Sequence, residues 1–80
     1  MNIEMYTSQN CSFCVNAKTL LKQNELVYTE IDVSNDTDKA TKMVERSGLI
    51  TVPQIYIDGE LIGGFTELAR SYREGNLVEK

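Results

Sequence analysis

Cys11-Ser12-Phe13-Cys14 contains both cysteines of this 80-residue chain, with two residues between them. The polar tripeptide Ser8-Gln9-Asn10 precedes this stretch, and apolar residues recur at helical spacing after it. A C-x-x-C pair beside a β-α-β pattern is typical of a redox-active dithiol. The stretch therefore predicts reversible thiol–disulfide chemistry at the start of a helix.

Three other interpretations of the cysteine pair compete with this one. Tetrahedral zinc needs four ligands, usually Cys or His, and the chain has no His and no third Cys. A structural disulfide would close so short a loop that it would restrict the unfolded chain very little. Two inert, buried thiols are the third possibility. The residues favour redox chemistry, and they leave the last two interpretations open.

Length and charge limit the class of protein. Eighty residues predict a single domain, residues 1–80. A net charge of −4 with scattered basic residues argues against nucleic acid or an anionic membrane surface as partner. The N-terminus lacks a signal-peptide pattern, and no apolar run approaches the ~20 residues that span a bilayer. We expect a monomer in the cytoplasm, where disulfides tend to be catalytic.

The first half of the chain predicts a β-α-β unit. Ile3, Met5 and Tyr6 indicate a short strand that ends at Thr7-Ser8, and a helix is expected from about Ser12 to Gln23. A β-rich segment, 26–33, follows the helix. Two strands joined by a helix should be parallel, with a right-handed crossover. The expected apolar residues of the helix are Val15, Ala17, Leu20 and Leu21.

The second half predicts a helix, a hairpin and a last helix. Ser34-Asn35-Asp36 supplies capping oxygens for the second helix, which should bury Ala40, Met43 and Val44 and end at Gly48. Asp58-Gly59 is a strong two-residue hairpin signal between strands 54–57 and 60–62. Thr66 is expected to cap the last helix, with Leu68, Ala69 and Tyr72 inward and Gly75 closing it. The fold class is α/β, with the order β-α-β-α-β-β-α, a four-stranded mixed sheet and three helices.

Three separated stretches together resemble the glutaredoxins. They are Tyr6 through Cys14, Thr51 through Ile57, and Gly63-Gly64 before the last helix. They occur in the family's order and at its spacing, so the resemblance covers essentially the whole chain. It implies a thioredoxin fold and glutathione-dependent thiol–disulfide exchange.

The two cysteines are expected to have different roles. Cys11 lies at the predicted helix start, where free N–H groups and the helix dipole favour a thiolate, the attacking species in disulfide exchange. Cys14 lies about one turn further in and should be more buried and protonated. Cys11 is therefore the expected nucleophile and Cys14 the resolving thiol, as the resemblance also implies.

The resemblance further implies a glutathione site built from three segments. The Val52–Pro53 bond would be cis and face the dithiol, leaving the Val52 backbone to pair with an extended peptide; a trans proline that starts the third strand is the alternative. The last helix would offer its N-terminal N–H groups to the γ-glutamyl carboxylate, with Glu67 near the amino group. Phe65 is as well explained as a core residue. The implied binding residues are Ser12, Phe13, Thr51, Val52, Pro53, Gly64, Phe65 and Thr66.

Three departures from the family pattern qualify this expectation. Ser12 replaces a common proline, and family members with C-S-Y-C hold a 2Fe–2S cluster between two subunits, which here would use Cys11 and glutathione as ligands. Ser8 and Leu49-Ile50 stand where many relatives have basic residues that hold the glycine carboxylate of glutathione. Lys18, Lys42 or Arg46 could compensate for them.

The predicted activity is reduction of protein–glutathione mixed disulfides and protein disulfides. Glutathione is the expected co-substrate, with glutathione reductase downstream and ribonucleotide reductase a possible client. Tyr6 and Tyr56 are expected to pack rather than to bind. Two alternatives stay open, an iron–sulfur carrier and a small redoxin that thioredoxin reductase reduces.

Overall fold

The computed structural model describes residues 1–75, and the elements follow the predicted order within that range. Their bounds are β1 Ile3–Thr7, α1 Ser12–Gln23, β2 Thr29–Asp32, α2 Thr37–Ser47, β3 Gln54–Ile57, β4 Glu60–Gly63 and α3 Phe65–Arg73. That residues 1–80 form one domain stays a prediction.

The four strands form one mixed sheet in the order β2-β1-β3-β4. β1 pairs with β2 in parallel, as expected for two strands joined by a helix. β3 is antiparallel to both β1 and β4. The ends of β1 and β2 that lead into α1 and α2 therefore lie at the same edge of the sheet, where the dithiol follows β1.

Side chains alternate between the two faces of the sheet and build two apolar clusters. On one face α1 and α3 cover the strands, and the cluster contains Ile3, Met5, Ala17, Leu21, Leu26, Ile55 and Leu68. On the other face α2 contributes Met43 to a cluster with Tyr6 and Tyr56. The two tyrosine rings meet edge to face at 6.0 Å between centroids, which confirms that they are packing residues.

The predicted bounds of α1 are confirmed, but the prediction that Val15 lies on its inner face is wrong. Val15 is 59% exposed, and Cys14 takes its place among the buried residues. β2 is also shorter than expected, and Val27 is 88% exposed. The reason is a backbone bond from Leu26 N–H to the Leu21 carbonyl, 2.9 Å, which holds the chain against the end of α1. Strand pairing starts only at Thr29.

The caps of α2 and the hairpin are as predicted. Asp36 Oδ1 accepts the N–H of Lys39 at 3.0 Å, and Gly48 ends the helix. Val44, expected inside, is 37% exposed, so Met43 is the buried residue of α2. Asp58 and Gly59 have φ values of 52° and 84°, the positive angles that a two-residue hairpin loop of this sequence requires.

The expectation that Thr66 caps α3 is wrong. The helix already begins at Phe65, with Gly64 at the cap position, and the Glu67 carboxylate accepts the Gly64 N–H at 2.8 Å. Thr66 lies exposed in the first turn. At the other end Gly75 closes the helix as expected, while Tyr72 is largely exposed.

Arg46 attaches α2 to the sheet. Its guanidinium donates to both Glu4 carboxylate oxygens, at 2.9 and 3.3 Å, and to the Tyr6 hydroxyl at 3.4 Å. The same group lies 3.7 Å above the centre of the Tyr56 ring. The hydrogen bond from Arg46 holds the pKa of Glu4 below its ordinary value. Only the planar guanidinium of arginine can pair with a carboxylate through two N–H groups and stack on an aromatic ring at the same time.

Replacing Arg46 by lysine should therefore destabilise the fold. We expect Arg46→Lys to lower the free energy of unfolding by about 1 kcal/mol in urea at pH 7, since the fork and the ring contact are lost. The difference in unfolding free energy between wild type and variant should shrink as the pH falls below 4.5, the ordinary pKa of this carboxyl group. The reason is that protonated Glu4 no longer pairs with the cation. Arg73→Lys, at the exposed end of α3, is the matched control and should change little. Equal losses in both variants would contradict this role.

Candidate functional site

Cys11 is the N-terminal cap of α1, and its sulfur takes the place of a capping oxygen. Cys11 Sγ accepts the N–H of Cys14 at 3.1 Å. The first turn of α1 carries no acidic residue, so no side-chain anion offsets the positive end of the helix. Asn10, with a φ of 57°, makes the turn from β1 into this position. The sulfur therefore lies where the helix favours negative charge.

The two cysteines form a disulfide and differ in exposure. Cys11 is half-buried at the surface, whereas Cys14 is 1% exposed. The predicted asymmetry in burial is confirmed. Their assignment as nucleophile and resolving thiol stays a prediction at this stage.

The loop before β3 brings the Val52 backbone to the dithiol. The Val52–Pro53 peptide bond is cis, as the sequence resemblance implied. The Val52 carbonyl oxygen lies 3.9 Å from Cys11 Sγ, across 41 positions of sequence. The main chain of Val52 therefore lies directly beside the sulfur of Cys11.

A groove of 290 Å³ joins most of the predicted binding residues. It brings together Phe13, Thr51, Val52, Pro53 and Gly64 from three separate segments. Phe65 lies beside it, with its ring stacked on Phe13 at 6.3 Å between centroids. Ser12 and Thr66 do not line the groove. Its other lining residues are Leu49, Gln54, Leu61, Gly63 and Glu67.

Gln54 is a residue of this groove that the sequence analysis missed. Its side-chain Nε2 donates to the carbonyls of Leu49 and Thr51, at 3.0 and 2.9 Å, although the side chain lies at the buried start of β3. These bonds fix the backbone that forms one wall of the groove. A glutamine at the head of the apolar segment Ile55-Tyr56-Ile57 was the available signal.

The side chain of Glu67, in the first turn of α3, packs over Gly63 and accepts a hydrogen bond from Gly64. A Cβ on Gly63 would lie 2.6 Å from Glu67 Cγ and Oε1, and the Gly63 φ of 124° itself disfavours a side chain. The carboxylate would have to move away from the Gly64 N–H that it accepts. The absent Cβ therefore allows Glu67 to order the start of α3 at the end of the groove.

No cationic side chain lines this groove within residues 1–75. Leu49 stands in its wall, and Ile50 is 81% exposed outside it. Arg46 is engaged with Glu4, and Lys42 is exposed on α2. Lys18 does not line this groove either, so none of the three cations that could compensate stands in it.

A second cavity, of 590 Å³, adjoins the dithiol and shares no residue with the groove. Both cysteines, Ser12, Lys18, Glu30 and Asp32 are among its lining residues. Lys18 Nζ lies 2.6 Å from Glu30 Oε2, and this hydrogen bond lowers the pKa of Glu30. Hydrogen bonding to Ser34 lowers the pKa of Asp32. Nothing in the sequence pattern indicates a role for Glu30 at this site.

These features define a thioredoxin-fold protein with a redox-active C-x-x-C pair. The family model for glutaredoxin matches residues 3–62. Glutaredoxin 3 of Escherichia coli strain K12 is 38% identical over 76 residues, which cover 95% of this chain and 92% of that protein. The chain belongs to the glutaredoxin family, and it is a thiol–disulfide oxidoreductase.

Solved structures agree with this assignment. The solution structure of glutaredoxin from Brucella melitensis matches with a TM-score of 0.80 and 36% identity, over 96% of this chain and 84% of that one. The crystal structure of a buckwheat glutaredoxin–glutathione complex matches with a TM-score of 0.83 and 26% identity, over 94% of this chain and 71% of that one.

Within residues 1–75, no helix has the length and apolar character needed to cross a membrane.

Substitution of Gly63 tests the glycine–Glu67 arrangement. Gly63→Ala should cost about 2 kcal/mol more in unfolding free energy than Gly59→Ala, because both glycines have positive φ but only position 63 lacks space. Urea denaturation of the two variants measures the difference. Equal costs would show that contact with Glu67 does not restrict position 63.

Proposed function

We propose that this protein uses glutathione to reduce protein–glutathione mixed disulfides and protein disulfides. One observation supports this most directly: the Cys11 sulfur lies 3.9 Å from the carbonyl oxygen of Val52, and Val52 lines a groove that also contains Gly64 at the start of α3. The buckwheat relative that binds glutathione has the same fold. The predicted binding residues that line or adjoin the groove fit a tripeptide.

Each end of the proposed site complements a part of glutathione. The Val52 backbone can pair with the cysteinyl residue in the manner of an added β-strand. The first N–H groups of α3 lack intrahelical partners and suit a carboxylate, while Glu67 suits an ammonium. The γ-glutamyl end carries both of these groups, so we place it at Gly64, Phe65 and Thr66. Phe13 covers the peptide, and Ser12 lies at the other side of Cys11.

The first reaction needs only Cys11. Its thiolate, stabilised by the Cys14 N–H and the α1 dipole, attacks the glutathione sulfur of a mixed disulfide. The bond between that sulfur and the client sulfur breaks, and the client leaves as a thiolate that takes a proton from water. A second glutathione thiolate then attacks the Cys11-bound glutathione, which yields oxidised glutathione and the free Cys11 thiolate.

Reduction of a protein disulfide needs both cysteines. Cys11 attacks one client sulfur, and Cys14 then attacks Cys11 Sγ and expels the client as a thiolate. The product is the Cys11–Cys14 disulfide that the structure contains. Two glutathione molecules reduce it again, and glutathione reductase would recycle the oxidised glutathione. A cytoplasmic location and ribonucleotide reductase as a client stay predictions.

Serine variants test the two roles. Cys11→Ser should abolish reduction of a glutathionylated peptide, because serine is not ionised at neutral pH. Cys14→Ser should keep much of that activity and lose reduction of protein disulfides. Both reactions are followed with the glutathione reductase system, and a thioredoxin reductase system is run in parallel. Loss of both reactions in Cys14→Ser, or faster turnover with thioredoxin reductase, would contradict the proposal.

The missing cation leads to a separate prediction. With the γ-glutamyl end at α3, the glycine carboxylate of glutathione falls near Leu49, where the groove offers no positive charge. Leu49→Lys should raise kcat/KM with glutathionylated peptide by about 2- to 5-fold, the effect expected of one partly exposed ion pair. A peptide carrying glutathione monoethyl ester, which lacks that charge, should show no gain.

Ile50→Lys is the matched control for charge, because residue 50 adds the same lysine outside the groove. An equal gain in this variant, or an equal gain with the ester, would show that the cation acts at long range and not in the groove.

The iron–sulfur alternative stays a prediction based on Ser12. Of the two cysteine sulfurs, only that of Cys11 is accessible, because Cys14 is buried. A 2Fe–2S cluster takes four ligands, so two chains and two glutathione thiols would have to supply them. No contact of Ser12 in the structure favours this function over exchange.

A further inference from the structure

The cavity beside the dithiol contains an ion pair that the proposed reactions leave unused. Lys18 lies one helical turn after Cys14, and residues four apart lie on the same helix face. Both residues line the cavity. The Lys18 ammonium is held there by Glu30, at 2.6 Å.

Glu30 is in turn held in place from the sheet. Its Oε2 accepts the hydroxyl proton of Thr7 at 2.8 Å, and Thr7 is buried at the end of β1. The side chains of Lys18 and Glu30 keep exposed fractions of only 28% and 34%. Glu30 lies at the surface, but its carboxylate is held by two contacts, one to Lys18 and one to the buried Thr7.

In the resolving step, the Cys14 thiolate has to be stabilised beside this cavity. Cys14 attacks as a thiolate, and burial disfavours a thiolate unless a positive charge lies near it. Cys11 carries no charge at that moment, because it is joined to the client sulfur. Among residues 1–75 the charged groups lining the cavity are then Lys18, Glu30 and Asp32. Asp32 accepts the Ser34 N–H at 2.8 Å, whereas Glu30 binds the lysine itself.

We propose that Lys18 is a positioning residue for the resolving step, and that Glu30 limits how strongly it acts. Lys18 stabilises the Cys14 thiolate as its proton passes to water. A bond then forms between Cys14 Sγ and Cys11 Sγ, the bond from Cys11 to the client sulfur breaks, and the client thiolate takes a proton from water. This inference rests on the proposed two-cysteine route.

The two partners of the ion pair should have opposite effects, which a structural role does not produce. Lys18→Met removes the cation and should slow reduction of a protein disulfide roughly 3- to 10-fold at pH 7. The rate of this variant should rise only at higher pH, where the Cys14 thiol ionises without a nearby cation. Glu30→Gln frees the ammonium and should speed the same reaction or shift its pH profile downward. Lys18→Arg should restore most of the wild-type rate.

The measurement is single-turnover release of a client thiol from its mixed disulfide with Cys11, recorded from pH 5 to 9. Glu4→Gln is the matched control, because it breaks a glutamate ion pair on the α2 face of the sheet, opposite the face that α1 and Lys18 cover. It should leave the rate unchanged. If Lys18→Met and Glu30→Gln slow release alike, the pair is structural and this inference fails. If wild type releases no client at all, the proposed two-cysteine route has failed instead.

Discussion

The N–H of Cys14 donates to the sulfur of Cys11, and this one bond fixes where the chemistry can occur. A side chain at the N-cap must lie over the first turn of the helix to accept such a bond. The Cys11 sulfur is therefore held at the positive end of α1, while the same geometry turns Cys14 inward to near-complete burial. The parallel β1–β2 pair and the loop carrying Val52 serve to bring other groups to that fixed sulfur.

The parts of the fold that sequence predicted depend on short-range chemistry. The start and end of α1, the Asp36 cap and the Asp58-Gly59 turn each follow from a few adjacent residues. Apart from the Thr66 cap, the errors concern burial and strand length, which depend on distant contacts. Val15 and Val27 have apolar side chains, but packing of α1 against the sheet and the turn after it leave both exposed. Residue type alone did not distinguish Val15 from Cys14.

Prediction of the site succeeded and failed for similar reasons. The family pattern located the three segments that form the groove, because each carries residues with a backbone role: a cap, a cis proline and a glycine. Thr66 was a plausible cap by residue type, but Gly64 and Glu67 already order that helix start. Gln54 and Glu30 were missed because their partners lie on other segments of the chain, the loop before β3 for Gln54 and helix α1 for Glu30. A polar residue on a strand usually indicates a solvent-facing position, and the buried Gln54 departs from that pattern, whereas Glu30 is exposed.

The distribution of charge around the dithiol separates its two cysteines chemically. The groove beside Cys11 has a carboxylate, Glu67, and no cation among its lining residues, whereas the cavity that also reaches Cys14 contains Lys18, Glu30 and Asp32. An anionic ligand approaching a chain of net charge −4 gains no long-range attraction from this arrangement. Binding in the groove must then come from main-chain hydrogen bonds and the start of α3, which act only at contact. Because contact hydrogen bonds are screened by salt far less than long-range attraction, shape rather than net charge would decide which disulfides reach Cys11.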